Sequence, residues 1–129
     1  MIVVDSTGWV EYFIDGDLAA AYAELILDQD AVVTPATVVY EVYKIVKREE
    51  GAEKAVVALA QLMKTDVVPL TPFLALTAAE LSLQHGLAFA DATVYATAVA
   101  FGAELVTSDA DLEGLAGVRY IPQRRRRKG

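Results

Sequence analysis

The sequence predicts an α/β domain built on a mainly parallel sheet covered on both faces. Short all-apolar runs, such as Ile2-Val3-Val4, recur along the chain. Stretches with helical apolar spacing separate them, several bounded by Thr-Pro or Gly. Strands that alternate with helices form βαβ units, and an all-apolar strand suits a sheet buried on both sides. At 129 residues, against ~100–200 residues per domain, one domain is expected.

Ile2–Val4 is the first strand and Trp9–Phe13 a helical turn. Leu18, Tyr22, Leu25 and Ile26 fall at i, i+4, i+7 and i+8, the stripe of an amphipathic helix. Ala31–Val33 is the second strand. Thr34-Pro35 then reads as a helix start, with Thr as N-cap and Pro at the first helical position. That helix carries Val38, Val42, Ile45 and Val46 on one stripe and runs to Glu50, before Gly51. A further helix spans Ala52–Met63, and Val67–Leu70 is the third strand. Thr71-Pro72 repeats the cap signal and opens a helix that reaches His85 and ends at Gly86. Phe89–Phe101 is helical and apolar on nearly all sides, hence buried. Glu104–Thr107 is the fourth strand and Arg119–Ile121 a short fifth.

Composition removes several classes of function. Apolar residues make up 55% of the chain, too many for a disordered protein. There is no cysteine and one histidine, His85, which excludes a disulfide scaffold, a Cys-ligated metal and a multi-His zinc site. His85 reads as a helix-end residue favourable to the helix dipole, and Trp9 and Phe13 as core or dimer contacts. The longest charge-free runs, Val67–Ala79 and Ala92–Ala103, fall short of the ~18–20 residues of a membrane span. With a strand-like run directly at the start and no basic leader, a cytoplasmic protein is expected. Net charge is −7, yet five of the eleven basic residues lie in Arg124-Arg125-Arg126-Arg127-Lys128. The other 124 residues carry a net −12. Such a body repels nucleic acid unless metal ions or a separate basic element invert the charge locally.

Four acids converge on the edge where α/β sheets bind ligands, the carboxyl ends of the strands. Asp5 follows the first strand directly, and Asp109 lies two residues beyond the fourth. Glu41 sits about two turns into the helix after the second strand, at the border of its buried stripe. Asp91 lies near the start of the buried helix. Taken singly, Asp5 and Asp91 also read as N-caps, Glu41 as a surface partner of Lys44 or Lys47, and Asp109 and Asp111 as turn residues. Together, convergent carboxylates repel unless a cation lies between them. Hard oxygen ligands suit Mg²⁺ or Mn²⁺. A carboxylate-held cation of that kind serves phosphoryl transfer or phosphodiester cleavage.

At these residues the sequence resembles PIN-domain nucleases. Val3-Val4-Asp5-Ser6-Thr7-Gly8-Trp9 resembles their opening motif, and Thr34-Pro35-Ala36-Thr37-Val38-Val39-Tyr40-Glu41 the second. Gly86-Leu87-Ala88-Phe89-Ala90-Asp91-Ala92 resembles the third, and Leu105-Val106-Thr107-Ser108-Asp109 the fourth, a Thr-x-Asp pattern. The resemblance spans residues 2–121, and chain length points to the VapC toxins of toxin–antitoxin pairs. It implies a PIN-like three-layer α/β/α domain over 1–123 with four to five strands. The charge run over 124–129 reads as a basic, disordered tail, or as the separate basic element that nucleic acid would need. The resemblance further implies a Mg²⁺- or Mn²⁺-dependent endoribonuclease, a homodimer, held in check by a VapB-like antitoxin. In this reading Asp5, Glu41, Asp91 and Asp109 bind the metal, and a metal-activated water hydrolyses RNA. Thr7 stands where many members have Ser and supports Asp5 or a water, with Asp111 as a peripheral acid. Lys44 and Arg48, three and seven residues beyond Glu41, are candidate phosphate contacts.

Two other readings compete. A haloacid-dehalogenase-like phosphatase also places an Asp after the first strand. It needs an acid two residues on, where this chain has Thr7, and a Lys that Leu105–Ser108 does not offer. A catalytically degenerate PIN fold used only for binding is the non-enzymatic alternative, and the presence of all four acids argues against it.

Overall fold

The computed structural model describes residues 1–123. The strands are β1 (Ile2–Val4), β2 (Val32–Pro35), β3 (Asp66–Val68), β4 (Glu104–Thr107) and β5 (Val118–Tyr120). The helices are α1 (Ser6–Phe13), α2 (Ala19–Ile26), α3 (Ala36–Glu50), α4 (Ala52–Leu62), α5 (Pro72–His85) and α6 (Phe89–Phe101). All five strands are parallel, in the order β3-β2-β1-β4-β5, between helical layers. The expected α/β/α architecture is therefore present, with a sheet wholly rather than mainly parallel. The basic run Arg124–Lys128 and the tail expected over 124–129 lie outside the described residues.

β1 sits at the centre. The chain steps from it through β2 to β3, then crosses back to place β4 on its other side. The order thus reverses between β1 and β4, and at such a switch point the loops beyond the strands diverge and leave a crevice. Val3, Val4, Leu105 and Val106 are fully buried there. Trp9, expected in the core or at a dimer contact, is wholly buried and stacks on Phe13 at 5.7 Å.

Several boundaries differ from expectation. Trp9–Phe13 is the end of a full helix that begins at Ser6. Thr34 and Pro35 do not start a helix; they end β2, and Pro35 pairs with Val68 of β3. The Thr34 hydroxyl, instead of capping, shares a 2.6 Å hydrogen bond with the Thr65 hydroxyl. Pro35 takes the N-cap place with no side-chain bond, and its extended backbone (φ −61°, ψ 143°) suits a strand end. Ala31 falls in a short 3-10 turn, Pro69 and Leu70 lie beyond β3, and the last strand is shifted one residue toward Val118. At Thr71-Pro72 the same dipeptide does cap a helix: the Thr71 hydroxyl accepts from Leu74 N–H at 3.2 Å. Gly86 closes α5 in the left-handed conformation, φ 70°.

α6 is buried from Ala92 through Ala98. Its small residues let it pack closely, and its threonines satisfy their hydroxyls locally: Thr97 donates to Thr93 C=O at 2.8 Å, Thr93 to Ala90 C=O at 2.9 Å. This rigid helix starts at the carboxyl edge of the sheet and carries Asp91 in its first turn.

Candidate metal centre

Asp5 leaves β1 at the switch point and is 3% exposed. Its backbone N–H continues the ladder by bonding to Val106 C=O at 2.9 Å. Its side chain does cap α1, accepting from Ser6 N–H at 2.8 Å through Oδ1. The other oxygen, Oδ2, accepts from the Thr107 hydroxyl at 2.7 Å. That hydroxyl in turn accepts from Asp109 N–H at 2.9 Å. Thr107 is fully buried and so couples the two strand ends that carry Asp5 and Asp109.

Asp5, Asp91 and Asp109 each offer one carboxylate oxygen within 4.8 Å of the others. They come from the end of β1, the start of α6 and the loop after β4. Among the described residues none of the three is in an ion pair with Lys or Arg. The cost of placing Asp5 and Asp91 here is visible in their proton affinities. Burial raises Asp5 to about 6, opposed by the bonds from Thr107 and Ser6 and reinforced by Glu41 and Asp109. Burial, a hydrogen bond with Asp109 and the charges of Asp109, Asp5 and Asp111 raise Asp91 to about 7. Metal-free, Asp5 and Asp91 hold protons near neutrality, first because burial penalises their ionised forms and then because neighbouring carboxylates repel them. Its donor set, three hard oxygens with room for water, fits Mg²⁺ or Mn²⁺.

Glu41 stands beside these three rather than among them. It is half-buried on α3, and its charge acts on Asp5 and Asp109. Burial raises its proton affinity, while Ser6 and Lys44 counter the rise. Asp111 is exposed; its N–H donates to Asp109 Oδ1 at 2.9 Å, closing the turn. The Thr7 hydroxyl makes no hydrogen bond to Asp5, although Thr7 lines the cleft beside Asp109. Its hydroxyl accepts from Ser108 N–H at 3.0 Å, tying α1 to the Asp109 loop. Lys44 is exposed and lies 4.8 Å over the Tyr40 ring. Arg48 pairs with its neighbour Glu49 at 3.1 Å. His85 is the last residue of α5, and its ring meets the Tyr95 ring edge-on at 6.2 Å.

From Asp109 an open cleft of about 960 Å³ runs along α1, past Thr7, Val10 and Ile14 to Asp15 and Asp17, with Tyr120 and Gln123 on its other side. Sequence reasoning had singled out neither Thr107 nor Ser6 as a support. Thr107 was findable: a Thr two residues before an Asp is the spacing of a hydroxyl-closed turn. Ser6 had no such signal.

The PIN domain family pattern matches residues 2–118, and the chain belongs to that family. Among solved structures it is similar to the Mycobacterium tuberculosis toxin VapC20, described as cleaving the Sarcin-Ricin loop. The TM-score is 0.78 at 26% identity, over 92% of this chain and 99% of that one. It is also similar to a toxin–antitoxin complex from Klebsiella pneumoniae, with TM-score 0.77 and 20% identity over 92% of this chain and 96% of that one. A third similar structure is VapBC2 from Rickettsia felis bound to a promoter DNA fragment, with TM-score 0.70 and 18% identity over 95% of this chain and 98% of that one. No curated protein sequence matches. Family membership and the likeness to VapC toxins support nuclease activity at the level of the family.

Proposed function

We propose that residues 1–123 form a metal-dependent endoribonuclease domain, the toxin of a toxin–antitoxin pair. The observation that carries this reading is the set of three carboxylate oxygens, from three separate elements, within 4.8 Å of one another and without a cationic partner among the described residues. Asp5, Asp91 and Asp109 would hold a divalent cation, Mg²⁺ or Mn²⁺, with Glu41 as the fourth acid of the site. Such a cation supplies polarisation of a phosphoryl oxygen, a lowered pKa for water and stabilisation of the leaving oxygen.

The chain's own residues do the rest. Asp5, fixed by Ser6 and Thr107, is the rigid member. Asp91 is held by a helix buried over the next seven residues. Glu41, whose charge is felt by Asp5 and Asp109, would orient a water and accept its proton. Attack on the phosphorus then leaves 5′-phosphate and 3′-hydroxyl ends. The alternative RNA chemistry, activation of the 2′-hydroxyl by paired imidazoles, lacks its residues: there is one histidine and no cysteine nucleophile. The acidic body still has to receive a polyanion; Lys44 and Arg48 on α3 would supply positive charge for it, and binding should weaken steeply with salt.

The reading includes two partners. A VapB-like antitoxin follows from the likeness to toxin–antitoxin complexes. Support for a second copy comes from α5, which buries only Leu74 and Ala78 and leaves Phe73, Leu76 and Leu83 68%, 71% and 82% exposed. An apolar face of that kind on a folded domain marks an interface. The reading is of a cytoplasmic protein; no helix among the described residues is long and apolar enough to cross a membrane.

The test is cleavage of defined RNAs with and without EDTA, with end-group analysis. Metal-dependent cuts bearing 5′-phosphates are expected. Cleavage that survives chelation, or 2′,3′-cyclic phosphate ends, overturns the mechanism. Metal binding without cleavage of any RNA favours the degenerate binding module.

A further inference from the structure

We infer that Tyr22 is a positioning residue for the metal centre, acting through the loop that carries Asp109. Tyr22 lies on α2, an element that contributes none of the four acids, and is fully buried. Its hydroxyl shares a 2.6 Å hydrogen bond with the Ser108 hydroxyl, across 86 residues of sequence. Ser108 stands between Thr107, which holds Asp5, and Asp109.

The ring of Tyr22 meets the other side of the site as well. It lies on Gly8 of α1 so closely that a Cβ there would fall 2.2 Å from Cε1 and 2.6 Å from Cδ1. Gly8 is followed through the buried turn back to Asp5, whose C=O accepts from Gly8 N–H at 3.0 Å. The neighbouring Thr7 accepts from Ser108 N–H. Tyr22 therefore touches both segments whose acids must converge: the helix after Asp5 with its ring, the loop before Asp109 with its hydroxyl. A buried tyrosine needs some hydrogen-bond partner, but this one takes it from Ser108, the single residue between Thr107 and Asp109. Partners behind a ligand fix its direction, and their loss typically costs ~10–100-fold in metal affinity.

This inference rests on the metal-site reading above, and the experiment separates the two. Mn²⁺ affinity is measured calorimetrically for the wild-type chain, Tyr22→Phe, Ser108→Ala and the double variant, with urea unfolding of each in the absence of metal. Tyr22→Phe keeps the ring on Gly8, so the fold is retained. We expect each single variant to bind Mn²⁺ about tenfold more weakly. The double variant should lose no more than either single, because both remove one contact. A purely structural role would lower the urea midpoint and leave Mn²⁺ affinity at the wild-type value, which overturns the inference. Additive losses overturn it too, since Tyr22 would then not act through Ser108. A wild-type chain that binds no Mn²⁺ overturns the metal reading itself.

Discussion

Glu104 opens β4 at one end of the sheet and Asp109 follows it at the other, and the two acids meet opposite fates. Glu104 pairs with Arg119 of the neighbouring strand at 2.6 Å, in the open, with both side chains 42–50% exposed. Asp109 has two acids within 4.8 Å and, among the described residues, no basic partner. At the amino edge, the Glu104 charge is neutralised by Arg119 and held where water can screen it. At the carboxyl edge, like charges are gathered on rigid elements, partly out of water. Folding alone has no use for such an arrangement, since removing one acid relieves the others. A region that raises its own free energy in this way points to a ligand that repays it.

The largest expected effect breaks that contrast directly. Asp91→Asn removes one ligand's charge, with the cost of burying it and its repulsion with Asp109, Asp5 and Asp111. RNA cleavage should fall by ~10³-fold or more, since a metal contributes several kcal/mol to the transition state. In the same variant the metal-free protein should unfold at a higher temperature than wild type. Loss of activity with loss of stability would mean that Asp91 is a structural residue.

The pH dependence comes next. Folded Asp5 and Asp91 titrate near 6 and 7, above the ~3.9 of an unfolded Asp. The folded state thus binds more protons between these values, and its stability declines as pH rises through them. Metal-free thermal midpoints should fall from pH 5 to pH 8, while the stabilisation given by Mn²⁺ should grow over the same range, because the ligands must be ionised. Midpoints that rise with pH in the absence of metal would contradict the shifts.

Thr107→Val tests the support behind the acids. It keeps the shape and removes the hydroxyl that donates to Asp5 and accepts from Asp109 N–H. Metal affinity should drop by ~10–100-fold, with a stability loss of about 1–3 kcal/mol for groups left unsatisfied in a buried site. The smallest effect belongs to the opposite edge. Arg119→Ala should cost under ~1 kcal/mol, as exposed pairs do, and leave cleavage unchanged.

How much of this was legible in the sequence depended on how far each residue's partners lie along the chain. The strands announced themselves because sheet burial on both faces demands all-apolar runs, as in Ile2–Val4. α5 and α6 were bounded correctly because Thr71, Gly86 and Gly102 act within one helical turn. Thr34-Pro35 misled because Thr-Pro looks alike at a helix start and at a strand end. What decided the matter was Thr65, 31 residues away. Asp5, Asp91 and Asp109 could be placed together because topology delivers them to one edge whatever the side-chain detail. That Glu41 stands outside the group of three depends on the phase of α3 against the sheet, which apolar spacing fixes only coarsely. Tyr22 was read as one apolar stripe residue of its helix, and it is buried as that reading requires. Its hydroxyl's partner lies 86 residues on, beyond any local pattern.

The most direct measurement is anomalous diffraction from crystals of this chain grown with Mn²⁺ at pH 7.5. A manganese peak bounded by the carboxylates of Asp5, Asp91 and Asp109, lost in Asp91→Asn, is the predicted result. A cluster that stays empty at millimolar Mn²⁺, or a peak held by the exposed acids Asp15 and Asp17 instead, would contradict the assignment of this edge as a metal centre.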